Sequence, residues 1–213
     1  IPFIYKGNPL VDAVDSHEFS KPCGEPYVAI LPGSRKGEIS RMMPVCMEVA
    51  DRLGCRVLIA GAPARSPEDY EKYIAGRQNV SLLFGRTYDI LKYSDAAIIN
   101  SGTASLEAAL LSVPQVVCWS TSPLTYFVAK NIVRVGDHIK FISLANLIAG
   151  KGIFKELIQA DFNAGAVTAN GGDFAAGVGG GNGGNGEYEK KRKQKREQFF
   201  HRDSPFHKKL FSF

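Results

Sequence analysis

Residues Tyr27 to Ile39 read YVAILPGSRKGEI: five apolar residues, a Pro-Gly-Ser-Arg turn, then the start of a helix-period segment. A short apolar run that stops at Pro32-Gly33 reads as a strand buried on both faces, the kind a parallel sheet is built from. From Glu38 to Leu53, the residues Ile39, Met42, Met43, Cys46, Val49, Ala50 and Leu53 recur at spacings of three and four. That spacing lays them on one helical face. Strand, glycine turn and amphipathic helix in this order make the first part of a βαβ unit.

The pattern repeats downstream. Cys55–Gly61 (CRVLIAG), Val80–Gly85 (VSLLFG), Asp95–Asn100 (DAAIIN) and Gln115–Trp119 (QVVCW) are four more strands. Between them lie helical segments. PEDYEKYIAG follows Ser66 and has acids in its first turn, YDILKYS is short, and TASLEAALLS is stopped by Pro114. SPLTYFVAKNIV (Ser122–Val133) is a further helix. Strict alternation with right-handed crossovers predicts an α/β fold, an open, doubly wound, Rossmann-like parallel sheet flanked by helices. A closed eight-fold barrel needs roughly 250 residues, more than this body supplies.

The 213 residues are 45% apolar and 22% charged, an ordinary globular mixture that excludes a collagen-like fibre, a disulfide scaffold and a wholly disordered chain. No apolar run approaches the ~18 residues of a spanning helix. The opening IPFIYKGNPL has neither an initiator Met nor the layout of a signal peptide, and reads as the middle of a longer protein. Four cysteines (Cys23, Cys46, Cys55, Cys118) form no CxxC pair and have no His at ligand spacing, so reduced thiols and no metal are expected.

Lys and Arg number 17 against 17 Asp and Glu up to residue 186, and 9 against 4 from Glu187 onward. The net charge of +5 therefore belongs to the tail and says nothing about the folded part. Composition divides the chain into an entry or linker segment (1–24), a domain (25–164), a glycine-rich tract (165–186) and a basic aromatic tail (187–213). Ten of the 22 residues from Gly165 to Gly186 are glycine, which predicts a flexible linker. The tail contains EKKRKQKR and FFHRDSPFHKKLFSF and is expected to be disordered.

Ligands of open α/β sheets bind beyond the carboxyl ends of the strands. Two loops there carry suggestive chemistry. In Leu31-Pro32-Gly33-Ser34-Arg35, Gly33 permits close approach of a ligand, Ser34 offers a hydroxyl and the helix start offers free N–H groups. Arg35 adds a planar cation suited to phosphate. An ordinary strand-to-helix turn, with Ser34 as N-cap and Arg35 solvated, is the competing reading. In Asn100-Ser101-Gly102-Thr103, a second helix start is followed one turn later by Glu107, on the same face as Thr103. A carboxylate placed there suits two ribose hydroxyls; a capped helix with a dipole-compensating Glu is the alternative. A pyrophosphate bridging both helix starts satisfies the two loops together. The Leu31–Arg35 turn is not a Walker loop, since GxxxxGK[ST] is absent, and the missing GxGxxG argues against NAD. His17 and His138 stand alone, with no nucleophile beside them.

In order along the chain come GNPLVDAV (Gly7–Val14), LPGSRKGEI (Leu31–Ile39), SGTASLEAAL (Ser101–Leu110), PQVVCW (Pro114–Trp119), SPLTYFVAKNIV and SLANLIAGKGIFKELIQ (Ser143–Gln159). This series resembles the lipid-A-disaccharide synthase family over about residues 4–162. The SPLTYxxAK and LxNLIAG pair is the most specific part. The resemblance implies the C-terminal, donor-binding half of a GT-B glycosyltransferase. It also implies inverting, metal-independent transfer of 2,3-diacylglucosamine from UDP to 2,3-diacylglucosamine 1-phosphate, with no cofactor. Carried over by motif, Arg35 and Ser34 face the diphosphate, and Gly33, Ser101, Gly102 and Thr103 line the same site. Glu107 points to the ribose and Asn146 lies close to the donor, with Arg35 and Asn146 as the catalytic pair. The lipid acceptor belongs to the other half, so this part alone is expected not to complete transfer.

A cytoplasmic protein, with peripheral contact at the inner membrane and a homodimer among its expected associations, follows from the same resemblance; nucleic acid is not an expected partner. The chain departs from the family pattern at Asn8 in Gly7-Asn8-Pro9, at Ala145 in SLANL, and after Asn163, where the glycine tract begins. Two other readings stay open on sequence grounds: a UDP-GlcNAc 2-epimerase-like enzyme, and a non-catalytic module whose tail contacts membranes or nucleic acid.

Overall fold

The computed structural model describes residues 9–122, 125–126 and 140–175, the last five as backbone alone. A short helix α1 (Pro9–Asp15) leads into β1 (Tyr27–Leu31), α2 (Lys36–Leu53), β2 (Arg56–Gly61), α3 (Glu68–Ile74) and β3 (Val80–Phe84). Then come α4 (Thr87–Tyr93), β4 (Ala96–Asn100), α5 (Thr103–Leu110), β5 (Gln115–Trp119), α6 (Leu144–Ala149), β6 (Lys155–Ile158) and α7 (Ala164–Ala175). The six strands form one sheet in the order β3-β2-β1-β4-β5-β6, every pair parallel. The expected open parallel α/β sheet is the fold.

β1 shows why five apolar residues were needed. Val28 and Ile30 face one side of the sheet, in a core shared with Met42, Met43 and Val49 of α2. Tyr27, Ala29 and Leu31 face the other, with Ile90 and Leu91 of α4 and Ala108 of α5. The two-residue alternation of a strand thus fills two helix layers at once. Asp95, read as the start of a strand, instead holds its edge: Tyr27 N donates to Asp95 Oδ2 at 3.0 Å, and Asp95 N to Tyr27 O at 3.0 Å. The helix α2 ends where Gly54 turns left-handed at φ 61° and its N–H closes on Ala50 O.

The entry segment is docked. Val14 is buried in the core, and Ser20 N donates to Asp89 Oδ1 at 2.9 Å. Two elements went unread in the sequence. α6 is six residues long, capped by Ser143 Oγ accepting from Asn146 N, and β6 is four residues and exists through pairing with β5. Neither is long enough to show a period. Of SPLTYFVAKNIV, the described helical residues are Thr125 and Tyr126; His138, the rest of that segment and 176–213 lie outside the described residues.

The reading of 165–186 as a free linker is corrected at its start, since α7 continues to Ala175. Asn163 caps it, with Oδ1 accepting from Ala166 N at 2.9 Å, while Ala164 and Val167 are buried against the α2 side of the sheet. Apolar burial over the first turns outweighs the helix cost of glycine, about 1 kcal/mol per residue. Among the described residues no helix is long and apolar enough to cross a membrane.

If α7 covers the core in solution, Val167→Asp buries an unpaired carboxylate and lowers unfolding stability by about 3 kcal/mol or more in urea titration. A silent substitution would return the segment to a flexible linker.

Candidate functional site

The chain order reverses at β1: β2 and β3 lie to one side, β4 to β6 to the other. The loops leaving β1 and β4 therefore part in opposite directions and open a crevice between them, the switch point of a doubly wound sheet. A cleft of about 650 Å³ sits there, walled by the loops after β1, β2, β3 and β4 and by His17. Gly33, Ser34, Arg35, Ser101, Gly102, Thr103 and Glu107 all line it. At the other edge of the sheet a void of about 20 Å³ beside Val28, Gln115 and Val167 has room for little more than a water.

The β1 loop turns at Gly33, φ 103°, where a side chain has no room. A Cβ would lie 2.5 Å from Glu38 Oε2 and 2.7 Å from Asn100 Nδ2. The N-cap of α2 is Arg35 and not Ser34, and the capping is done from inside the helix. Glu38 Oε2 accepts from Ser34 N at 3.0 Å and from Arg35 N at 3.2 Å, and Oε1 accepts from Arg35 Nη1 at 3.0 Å. The Arg35 side chain is 84% exposed, so this ion pair contributes at most about 1 kcal/mol and leaves the other guanidinium donors at the cleft.

The β4 loop is open. Gly102 has φ 154°, and a Cβ built on it meets nothing within 4 Å. Thr103 is exposed at the head of α5, and Ser105 Oγ donates to Gly102 O at 2.8 Å to fix the turn. Ser101 lines the cleft but spends its proton elsewhere, donating to Ile142 O at 2.8 Å. Glu107 stands one turn into α5 and receives Tyr88 Oη at 3.4 Å. Burial pushes its carboxyl above the ordinary glutamate value, and the tyrosine bond offsets only part of that.

Asn146 is the exception among the predicted residues. It is fully buried, and its amide donates to Phe154 O (2.9 Å) and Glu156 Oε1 (2.8 Å). Its carbonyl accepts from Ile153 N (2.9 Å) and Phe154 N (3.0 Å). The hydrogen-bonding capacity of its side chain is used inside the fold. It is not among the residues that line the cleft, and it joins α6 to β6. Glu156 completes that joint by accepting from Ile142 N, Ser143 N and Ser143 Oγ, which steadies the backbone Ser101 leans on.

Several cleft residues escaped the sequence reading. His17, read as isolated, donates from Nε2 to Asp89 Oδ1 at 3.1 Å, and Tyr88 packs edge-on against its ring. Asp89 also accepts from Ser20 N and Arg86 Nε. Burial raises its carboxyl, but these three hydrogen bonds outweigh burial and hold it below the usual aspartate value. The partners lie up to 72 positions apart, so no local spacing announces them. Glu38 was visible in principle, as an acid in the first turn of a helix. Asn100 was visible as the last residue of a strand at the ligand edge.

An open Rossmann-like sheet with a cleft at its switch point is the architecture of nucleotide-binding α/β domains. The chain belongs to the lipid-A-disaccharide synthetase family, whose model matches residues 2–199, further than the quoted motifs reach. The lipid-A-disaccharide synthase of Geobacter sulfurreducens is 35% identical over 188 residues, covering 82% of this chain and 48% of the relative. Those of Azotobacter vinelandii (38% identity, 75% and 45% coverage) and Myxococcus xanthus (36%, 74% and 44%) match similarly. The chain thus spans just under half the length of these relatives.

The raised Glu107 carboxyl means the folded chain keeps that proton at a pH where the unfolded chain has released it. Stability therefore falls as pH rises through the window between the ordinary and the raised value. Glu107→Gln is expected to raise Tm at pH 7, with the gain vanishing below about pH 4. Asp89, held low, has the opposite sign: Asp89→Asn lowers Tm at pH 7 and the loss shrinks as acid protonates the wild type. Thermal melts across this range check both, and a Glu107→Gln Tm at or below wild type at pH 7 contradicts the burial argument.

Proposed function

We propose that this chain is the donor-binding part of a lipid-A-disaccharide synthase. In that reading the whole enzyme transfers 2,3-diacylglucosamine from UDP to 2,3-diacylglucosamine 1-phosphate, and the residues here hold the UDP end of the donor. The observation that supports this best is the meeting of the Pro32–Arg35 turn and the Asn100–Thr103 turn at one cleft, with Glu107 beside them.

Each group has a physical task. The head of α5, left open at Gly102, offers backbone N–H groups and the positive end of the helix to a phosphate. Arg35 brings a mobile guanidinium, and Ser34 a hydroxyl. Glu107, less exposed and flanked by Tyr88, accepts from ribose hydroxyls. Breaking the sugar–phosphate bond builds negative charge on UDP, and donors already aimed at that oxygen lower the barrier without reorganising. Inversion at the sugar and independence from metal belong to the same proposal. The acceptor lies on the part of the relatives this chain does not span, and transfer requires both substrates held in register. The chain by itself is therefore expected to bind UDP and to leave the transfer undone.

Isothermal titration with UDP tests this. Wild type is expected to bind, and Arg35→Ala to bind at least about tenfold more weakly, the loss of one charge-assisted contact. Equal affinities would remove Arg35 from the diphosphate site.

A further inference from the structure

One wall of the cleft is His17, brought in from the entry segment. Its imidazole is held on three sides. Asp89 Oδ1 stands 3.1 Å from Nε2, and Phe19 and Tyr88 meet the ring edge-on with centroids 4.8 and 5.3 Å away. Asp89 is tied in turn by Ser20 N and Arg86 Nε, each at 2.9 Å. Burial works against its charge, but those hydrogen bonds keep the carboxyl below the usual aspartate value, so it is an ionised group that only accepts. Nε2 therefore carries a proton, and in the neutral ring Nδ1 is left as the acceptor. Among the described residues Nδ1 makes no hydrogen bond, and the side chain is 29% exposed where it lines the cleft.

The side chains follow one another along the cleft in the order of a nucleotide. Glu107 stands one helical turn, about 5.4 Å, beyond Thr103. Tyr88 Oη reaches Glu107 at 3.4 Å, and His17 packs on the Tyr88 ring. With phosphate at the head of α5 and ribose at Glu107, the base falls beside Tyr88 and His17. We propose that His17 reads the base, its Nδ1 accepting the N3–H of uracil, with Asp89 as the positioning residue that keeps the ring proton on Nε2. The inference rests on the donor-binding reading above and concerns the end of the ligand farthest from the reacting bond. Uracil carries a hydrogen on N3, whereas cytosine carries a lone pair there. Cytosine in the same place sets two acceptors against each other, and a site built around one polar contact discriminates strongly against an analogue that lacks it. Phe19 and Tyr88 hold the ring from both edges, so the nitrogen and not a C–H is what the base meets.

The test is isothermal titration of the full chain with UDP and with CDP. Wild type is expected to bind UDP about tenfold more tightly than CDP. His17→Phe keeps an aromatic ring against Phe19 and Tyr88, and is expected to bring that ratio to about one by weakening UDP. Asp89→Asn, measured below its melting point, should lower the ratio too, because the ring proton is no longer fixed; a purely structural loss weakens both nucleotides and leaves the ratio unmoved. In wild type the imidazole nitrogen resonances should place the proton on Nε2. The Nδ1 resonance should shift on addition of UDP and stay in place with inorganic pyrophosphate, a measurement that needs no variant. A wild-type ratio near one, the wild-type ratio retained in His17→Phe, or an Nδ1 resonance that UDP leaves in place overturns the base-reading role; the ratio retained in Asp89→Asn overturns the positioning role. If UDP binds and responds to Arg35→Ala under those results, this inference alone fails. If wild type binds neither nucleotide, the donor-binding reading fails with it.

Discussion

The cleft depends on β1 lying beside β4. Val28 to Leu31 pair with Ala96 to Ile99 in register, so the two strands end at one level and their loops begin as neighbours. The 64 residues between them (32–95) are folded away to the other side, through β2 and β3. Had β4 added next to β3, each turn would still be a glycine turn at the head of a helix, but the two would lie three strands apart at ~4.8 Å per strand, too far for one diphosphate. Parallel pairing at the sheet centre is therefore what converts two ordinary turns into a shared site.

Around that pairing, the molecule divides labour between groups that face the cleft and groups that hold them. Glu156 and Asn146 belong to the second kind. They bind the loop at Ile142 and Ser143 to β6, and Ser101 is tied to Ile142 in turn. His17, Asp89, Arg86 and Ser20 do the same for the entry segment, fastening it along the start of α4. Apart from Ser20, which is exposed and takes part through its backbone, both networks are made of buried or half-buried polar groups, which are costly to leave unpaired. The charge on the cleft side is finely balanced: one exposed arginine is already half neutralised by Glu38, and Glu107 adds a second acid. The proposed diphosphate would therefore lean on helix ends and amides more than on net positive charge.

Membership of the lipid-A-disaccharide synthetase family fits this division. The motifs quoted in order along the chain fall on both kinds of residue: the turns at Gly33 and Gly102 line the cleft, and Asn146 lies in the joint behind it.

Much of the architecture was legible in the residues alone. Apolar runs of five bounded by Gly and Pro marked β1, β2, β4 and β5, because a central parallel strand must be apolar on both faces and its period disappears. The glycine turns marked the ligand edge, because only there does backbone have to come close. What the chain could not announce were features made by contact between distant segments: β6, which is a strand only beside β5; α7, helical through its glycines because Ala164 and Val167 bury against α2's side of the sheet; and the pairing of His17 with Asp89. The strand order belongs to the same group. Local spacing sets each element, since it is governed by neighbours three or four residues away, while the choice of which strands meet, and so which loops share a cleft, is decided by packing across the whole sheet.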